Sequence, residues 1–259
     1  LNNLLIHLAS AFLLWLLAYK LSLPWPWLGA FLFALHPVHV ESVAWVTERK
    51  NVLSGFFFLS SALFYLSYAK IFTLPAILVR FSRISYPIAL LLFLAGLWSK
   101  TTVCVLPGVI ILLVWWKKGK ITPANIRSIL PFLLLGLFLG LTTMNLEKIH
   151  VGAQGEDWDF SLLERGLIAG RVAWFYLRKL IIPYPLAFSY PRWSIDSGSV
   201  TAYLFPLTFI FLLGLLWKYR RQIGRGPLTA LAYFACALIP ASGFFNVYPM
   251  RFSFVADHF

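Results

Sequence analysis

Long apolar runs, broken at short intervals by Lys, Arg and Pro, make up most of the chain. A hydrocarbon core about 30 Å thick takes about 20 helical residues, with about 17–25 the usual range. Eight stretches meet that requirement, some only with their flanks: 4–19, 25–46, 52–68, 86–98, 103–116, 129–146, 203–217 and 228–245. The pattern predicts an all-α fold, a polytopic membrane bundle of about eight spans. The stretches 86–98 and 103–116 are short, and Lys100 between them marks a tight turn near one membrane face, as in a bent helix hairpin. Ahead of the last two spans, 147–202 is the one long region that does not span. Numbering a helix from Glu164 at about 100° per residue puts Glu164, Arg165, Arg171, Arg178 and Lys179 on an arc of about 140°. Leu167, Ala173, Trp174 and Leu177 fall off that arc, so an amphipathic helix over 161–181 is expected to lie along the outer interface. Pro183, Pro185 and Pro191 follow it among aromatic residues, as a loop resting on the membrane.

Composition narrows the class. Hydrophobic residues make up 60% of the 259 and charged residues 12%, against about 45–50% and about 25% in a soluble domain. So little charge cannot cover a soluble globule. The basic excess, 22 Lys and Arg against 9 Asp and Glu, is not a basic patch on a soluble module, so no nucleic-acid partner is expected. Threading eight spans tests that excess independently. It places Lys20, Lys70, Arg80, Arg83, Lys117, Lys118, Lys120, Arg127, Lys218, Arg220, Arg221 and Arg225 on one side, without a single acid. The other side holds all nine acids and takes Arg49, Lys50, Lys100 and the cations of 147–202 and of the tail 246–259. By the positive-inside rule the acid-free side is cytoplasmic and both ends of the sequence are outside. Cys104 and Cys236 sit in apolar runs without metal-ligand or disulfide spacing and are expected to be packing residues. Leu1-Asn2-Asn3 lacks the basic start and cleavage site of a signal peptide, as expected of an internal fragment.

Ionisable residues inside apolar stretches are functional candidates, because burying them unpaired costs several kcal/mol. His36-Pro37-Val38-His39-Val40-Glu41, continuing to Glu48-Arg49-Lys50-Asn51, is the densest such segment. His39 and Glu41 cannot share a face of a regular helix, but Pro37 interrupts the ladder and lets them converge. Equally, His36 and His39 satisfy carbonyls freed by the proline while Glu41 pairs with Arg49 or Lys50. The spacing is not that of a standard metal site, and metal dependence stays open. Outer-side cations are the second signal. Arg49, Lys50, Lys100, Arg171, Arg192 and Arg251 lie near span ends or on the interfacial helix, where Arg suits bidentate phosphate recognition and Lys a point charge. A phosphate at membrane depth implies a lipid-linked one. Snorkelling to headgroups is the plainer account, and fits Arg178 and Lys179 better than Arg251. Near the end, Arg251, Asp257 and His258 bring a cation, a carboxylate and an imidazole close together, suited to proton transfer or to orienting a donor headgroup, or else forming an exposed turn.

Four segments carry a family resemblance: LHPVHVESVAWVTERKNVLSGFFFL (35–59), LLFLAGLWSKTTVCVLPGVIILL (91–113), SLLERGLIAGRVAWFYLRKLIIPYPLAFSYPRW (161–193) and GFFNVYPMRFSFVADHF (243–259). They resemble bacterial relatives of the transmembrane-and-TPR-repeat proteins, which are similar in turn to protein O-mannosyltransferases of the GT-C glycosyltransferase class. The resemblance runs over essentially the whole chain and implies a single GT-C-like transmembrane domain over 1–259, with 147–202 as its outer loop region and a TPR solenoid beyond it. It implies transfer of a hexose, typically mannose, from a polyprenyl-phosphate donor to an acceptor hydroxyl of a protein or glycan on the extracytoplasmic face. The bacterial match favours the inner membrane, with the site on the periplasmic side. The polyprenyl-phosphate sugar is the donor substrate, membrane lipid is the surrounding partner, and a divalent cation is compatible with the class. The resemblance places the principal catalytic base in an outer loop upstream of Leu1. Matching positions here are His36, His39, Glu41, Arg49, Lys100, Arg171, Arg251 and Asp257; Asn51 stands where many relatives carry Asp. On that basis Arg49, Lys100, Arg171 and Arg251 are expected to hold the donor phosphate. Glu41, Asp257 and His39 are the catalytic candidates within the chain, and His36 and His258 would position the substrate.

Two other functions fit the same pattern. A transporter or flippase of a lipid-linked sugar needs outward cations too, although the polar groups cluster at one face and not at the midplane. A noncatalytic membrane anchor for a TPR scaffold needs none of the chemistry.

Overall fold

The structure is a computed structural model and describes residues 1–257. Among these, every regular element is helical. In chain order they are α1 (Asn2–Lys20), α2 (Pro26–Leu35), α3 (Val40–Ala44), α4 (Arg49–Tyr68), α5 (Ser85–Ser99), α6 (Leu106–Lys118), α7 (Pro123–Leu146), α8 (Leu162–Ile181), α9 (Val200–Tyr219) and α10 (Gly226–Leu238). Six helical segments of the described residues are long and apolar enough to cross a membrane: Asn2–Lys20, Val46–Tyr68, Val79–Ser99, Thr101–Lys118, Pro123–Val151 and Val200–Tyr219. The other two apolar stretches, 25–46 and 228–245, overlap the shorter helices Pro26–Leu35 and Gly226–Ala241. Stretch 25–46 is interrupted because Pro37 has no N–H to donate and drives His36 into an extended conformation (φ −66°, ψ 126°). The break expected at Lys100 is present: α5 ends at Ser99, Lys100 is extended, and a 3-10 turn leads into α6.

The chain divides into two compact units, 1–140 and 141–257, with the boundary inside α7. In the first unit α4 packs against both α1 and α5. Its core holds Leu63, Tyr65 and Leu66 of α4, Ala89 and Phe93 of α5, Leu106 and Ile110 of α6, and Phe132 of α7. Ser60, Ser61 and Ala62 keep the α4 surface small, and Ser61 Oγ donates to Ala89 O at 2.7 Å. Close approach through small side chains is how apolar helices associate where lipid removes the hydrophobic drive. Ser128 ties three helices together, meeting Tyr65 OH at 2.7 Å through its hydroxyl and Tyr86 OH at 3.0 Å through its carbonyl. At the acid-free end, Lys117 donates to Leu21 O and Lys118 to Ala69 O, the residues that terminate α1 and α4. Two cations expected as loop anchors therefore also cap helix C-termini, where carbonyls lack partners and the dipole favours positive charge.

In the second unit α8 packs against α9, and α9 against α10. A capping box starts α8: Ser161 Oγ accepts from Glu164 N, and the Glu164 carboxylate accepts from Ser161 Oγ and from Ser161 N, which together hold the Glu164 carboxyl below its ordinary range. Ile168, Val172 and Tyr176 pack with Ala153, Trp158, Phe254 and Val255; Ala173 packs with Phe209 and Leu231. Helix α8 is thus covered along two lines, and this corrects the polar arc expected from sequence. Lys179, placed there as a snorkelling cation, is 4% exposed and donates to Pro185 O beneath the Phe175 and Tyr190 rings. Arg178 remains exposed.

Gly170 sets the spacing of α8 and α9. A Cβ there would lie 2.5 Å from Pro206 N and 2.7 Å from Pro206 Cα, backbone that cannot move aside. Gly170→Ala is therefore expected to destabilise the protein by about 1–3 kcal/mol through overpacking. At Gly166 a Cβ meets nothing within 4 Å, so Gly166→Ala is the control. Thermal unfolding in detergent checks both, and equal midpoints for the two variants would refute the close approach.

Candidate functional site

The sequence candidates fall into a cluster in each unit. In the first, His36, His39 and Glu41 sit at the break between α2 and α3. His36 Nδ1 accepts from Val38 N at 3.3 Å, the very N–H that would have served Ala34 O in a continuing helix. Ala34 O instead accepts from His7 Nε2 at 3.2 Å. The carbonyl released by the interruption is thus met by a histidine from α1 and not by His36 or His39. His7 stacks on Phe33 with centroids 4.9 Å apart and lies 5.2 Å from the His39 ring, with His36 and His39 6.3 Å apart. Among the described residues no group of three or more His, Cys, Asp or Glu is placed to hold a metal ion. His7 was not among the candidates legible from the sequence, although a lone imidazole within an apolar stretch was the signal for it.

A polar hub lies beside this break. Asn51 donates from Nδ2 to Glu48 Oε2 at 2.6 Å and to Ser42 Oγ at 3.1 Å, while its Oδ1 accepts from Lys100 Nζ at 2.8 Å. Glu48 is buried and pairs with Lys50 at 3.4 Å. Asn51 suits this place because an amide donates on one side and accepts on the other, bridging a carboxylate and an ammonium. Burial pushes the Lys100 ammonium down to about 8; the Glu48 carboxylate opposes that shift and Lys50 adds to it. Glu48 was not singled out from the sequence, since a carboxylate beside Arg49 and Lys50 looks like an ordinary surface pair. Arg49 makes no ion pair among the described residues and lines a cavity of about 290 Å³ with Asn2, Asn3 and Val43. Asn3 donates to Trp45 O at 2.9 Å, but its buried Oδ1 has no hydrogen-bond partner among the described residues.

In the second unit the candidates surround α8. Asp257 is buried and accepts from Tyr190 OH at 2.9 Å and from Ala187 N at 3.0 Å. Tyr176 OH donates to Ala256 O at 2.8 Å and accepts from Ala256 N, fixing the segment that presents Asp257. Burial holds Lys179 below its ordinary range, and Asp257 nearby acts in the opposite direction. Arg171 lies over the Trp193 ring at 4.3 Å and has no carboxylate in ion-pair range among the described residues. Desolvation lowers its pKa from the ordinary value, which leaves a guanidinium fully charged at neutral pH. Arg251 pairs with Asp157 at 3.2 Å. His258 lies outside the described residues. Arg165, which the sequence placed only on the helix face, threads into the unit and donates to five acceptors drawn from 158–160 and 243–246.

No family model matches the chain, and neither a curated protein nor a solved structure matches it.

Proposed function

We propose that this chain is the membrane part of a glycosyltransferase that moves a hexose from a polyprenyl-phosphate donor to an acceptor hydroxyl on the extracytoplasmic face. The observation that carries it is Arg171: a guanidinium on a ring platform, desolvated and without a carboxylate, is a cation held for an anion from elsewhere. In the first unit Arg49 makes no ion pair among the described residues and lines a cavity, while Lys100 is held by Asn51; the segment resemblance makes both further candidates for the phosphate and supplies the substrate class. In this reading the eight apolar stretches all cross a bacterial inner membrane. Charge on the departing lipid phosphate grows in the transition state, so cations there accelerate the step without any covalent role. In the second unit Asp257, held by Tyr190 and Ala187, has the role of positioning the sugar or acceptor; in the first, Glu41 and His39 are the candidates for that role.

The test is transfer of labelled sugar from a panel of polyprenyl-phosphate donors in membranes carrying the full-length gene product. Arg171→Ala is expected to lower transfer about 10- to 100-fold, the size of a lost charge-assisted hydrogen bond of about 1.5–3 kcal/mol. Full rate in both Arg171→Ala and Arg251→Ala would remove these residues from the role. Intact donor accumulating on the opposite leaflet, with no transfer, would identify a flippase instead.

A further inference from the structure

Asp157 is the only carboxylate of the described residues on which two arginines converge. Arg192 Nη1 lies 2.9 Å from Oδ1 and Arg251 Nε lies 3.2 Å from Oδ2, so each oxygen serves a different guanidinium. The other Arg192 amino group donates to the backbone carbonyl of Asp157. We propose that Arg192 and Arg251 form a phosphate-binding site and that Asp157 is its internal occupant, displaced when a phosphate group arrives. This deepens the glycosyltransferase reading and rests on it for the lipid-linked form of the ligand.

Three features make the exchange feasible. Arg251 is 53% exposed and Asp157 39%, so a phosphate reaches them from outside, and an exposed ion pair of this kind contributes only about 0–1 kcal/mol. Arg192 is oriented beforehand, because its guanidinium stays docked on the Asp157 carbonyl and lies 5.3 Å from the Phe254 ring centroid and 5.7 Å from that of Phe160. The backbone around Asp157 is pinned on both sides: Ala153 is fully buried, and the buried Trp158 donates from Nε1 to Val247 O at 3.0 Å. The carboxylate therefore leaves by rotation of its own side chain, with no opening of the segment. Two guanidiniums then face a phosphate whose oxygens repeat the spacing of the carboxylate they replace.

The test measures binding of farnesyl phosphate, and separately of inorganic phosphate, to the full-length protein in neutral detergent. Asp157→Asn keeps the side-chain shape and removes its charge. It is expected to tighten farnesyl phosphate binding about fivefold, the equivalent of about 1 kcal/mol. The Arg192→Ala, Arg251→Ala double variant should weaken binding at least tenfold. Tightening for farnesyl phosphate alone assigns a lipid-linked ligand, and tightening for both probes assigns the free phosphate group. Unchanged or weaker binding of both probes by Asp157→Asn overturns the site. In the unsubstituted protein, farnesyl phosphate should also protect Arg192 and Arg251 from phenylglyoxal, so a poorly folding variant does not decide the matter; absence of protection overturns the proposal. Binding that tightens in Asp157→Asn, in a protein that transfers no sugar, sinks the transferase reading and leaves this site standing.

Discussion

Arg165→Ala is expected to lower the stability of the protein by about 3 kcal/mol and to expose 152–160 and 243–251 to protease. Its guanidinium donates to Trp158 O (3.0 Å), Phe160 O (3.2 Å), Gly243 O (2.8 Å), Phe244 O (3.3 Å) and Asn246 Oδ1 (2.8 Å). Hydrogen bonds to a charged group contribute about 1.5–3 kcal/mol each when removed singly, but five on one side chain are not additive. Lysine would not replace it. An ammonium is a point charge with three donors, whereas these acceptors are spread around the planar fork of a guanidinium. Arg165→Lys should therefore lose most of the same stability. Thermal unfolding in detergent with limited proteolysis reads both variants; an Arg165→Ala protein that melts with the parent would show that the two loops are held by other contacts. The pinned segment includes Gly243, whose φ of +92° and 2.7 Å approach of an added Cβ to Ile168 Cγ2 leave it no other residue type.

Asn51→Leu should cost a similar amount in the first unit, about 3 kcal/mol or more. It withdraws the donor that meets the buried Glu48 carboxylate and the acceptor that meets Lys100 together, and removing one partner of a buried charge costs more than the bond contributed. Asn51→Asp should be milder at low pH. There a proton shared between the introduced carboxyl group and Glu48 restores a donor between oxygens that would otherwise repel at about 2.6 Å. The hub also carries a pH signature. Lys100 titrates at about 8 in the fold against 10.5 in the unfolded chain, so between those values the unfolded state holds the extra proton. Its contribution to stability therefore rises with pH across that window. In the donor-phosphate role proposed for Lys100, phosphate affinity is expected to have the opposite sign, falling as the ammonium loses its charge through about pH 8. The difference between the parent and Lys100→Met isolates both slopes, and parallel pH profiles for the two proteins would refute the shifted lysine.

Much of the helical layout was legible because lipid leaves few choices. A backbone with no water to bond must satisfy itself, so apolar length alone located the six long helices, and Lys100 and Pro37 marked real interruptions. A helix over 161–181 was legible and α8 runs over Leu162–Ile181, but the side assigned to its charges was wrong for Lys179. Angular position around a helix separates polar from apolar faces only when one face meets water. Here the loop that follows α8 folds back and supplies Pro185 O, the Phe175 and Tyr190 rings meet the ammonium, and Asp257 lies near enough to favour its charge.

The candidate residues divide in the same way. His36, His39, Lys100, Arg171, Arg251 and Asp257 stood out because charge and imidazole are rare and costly in such a chain; the first five lie at a helix break, at a helix or turn end, or on α8, and Asp257 lies in the segment that follows the last 3-10 turn. Their partners did not stand out. His7 is 27 residues from the carbonyl it meets, Lys100 is 49 from Asn51, and Asp157 is 35 from Arg192. Hydrophobic length and charge rarity are local properties, written in consecutive residues, and they settled where helices run and which side chains are unusual. Which acceptor a cation reaches depends on how helices and loops pack across long sequence separations. Such a pairing leaves no period in the chain, so Glu48, Arg165 and Asp157 acquired their places only when the chain folded.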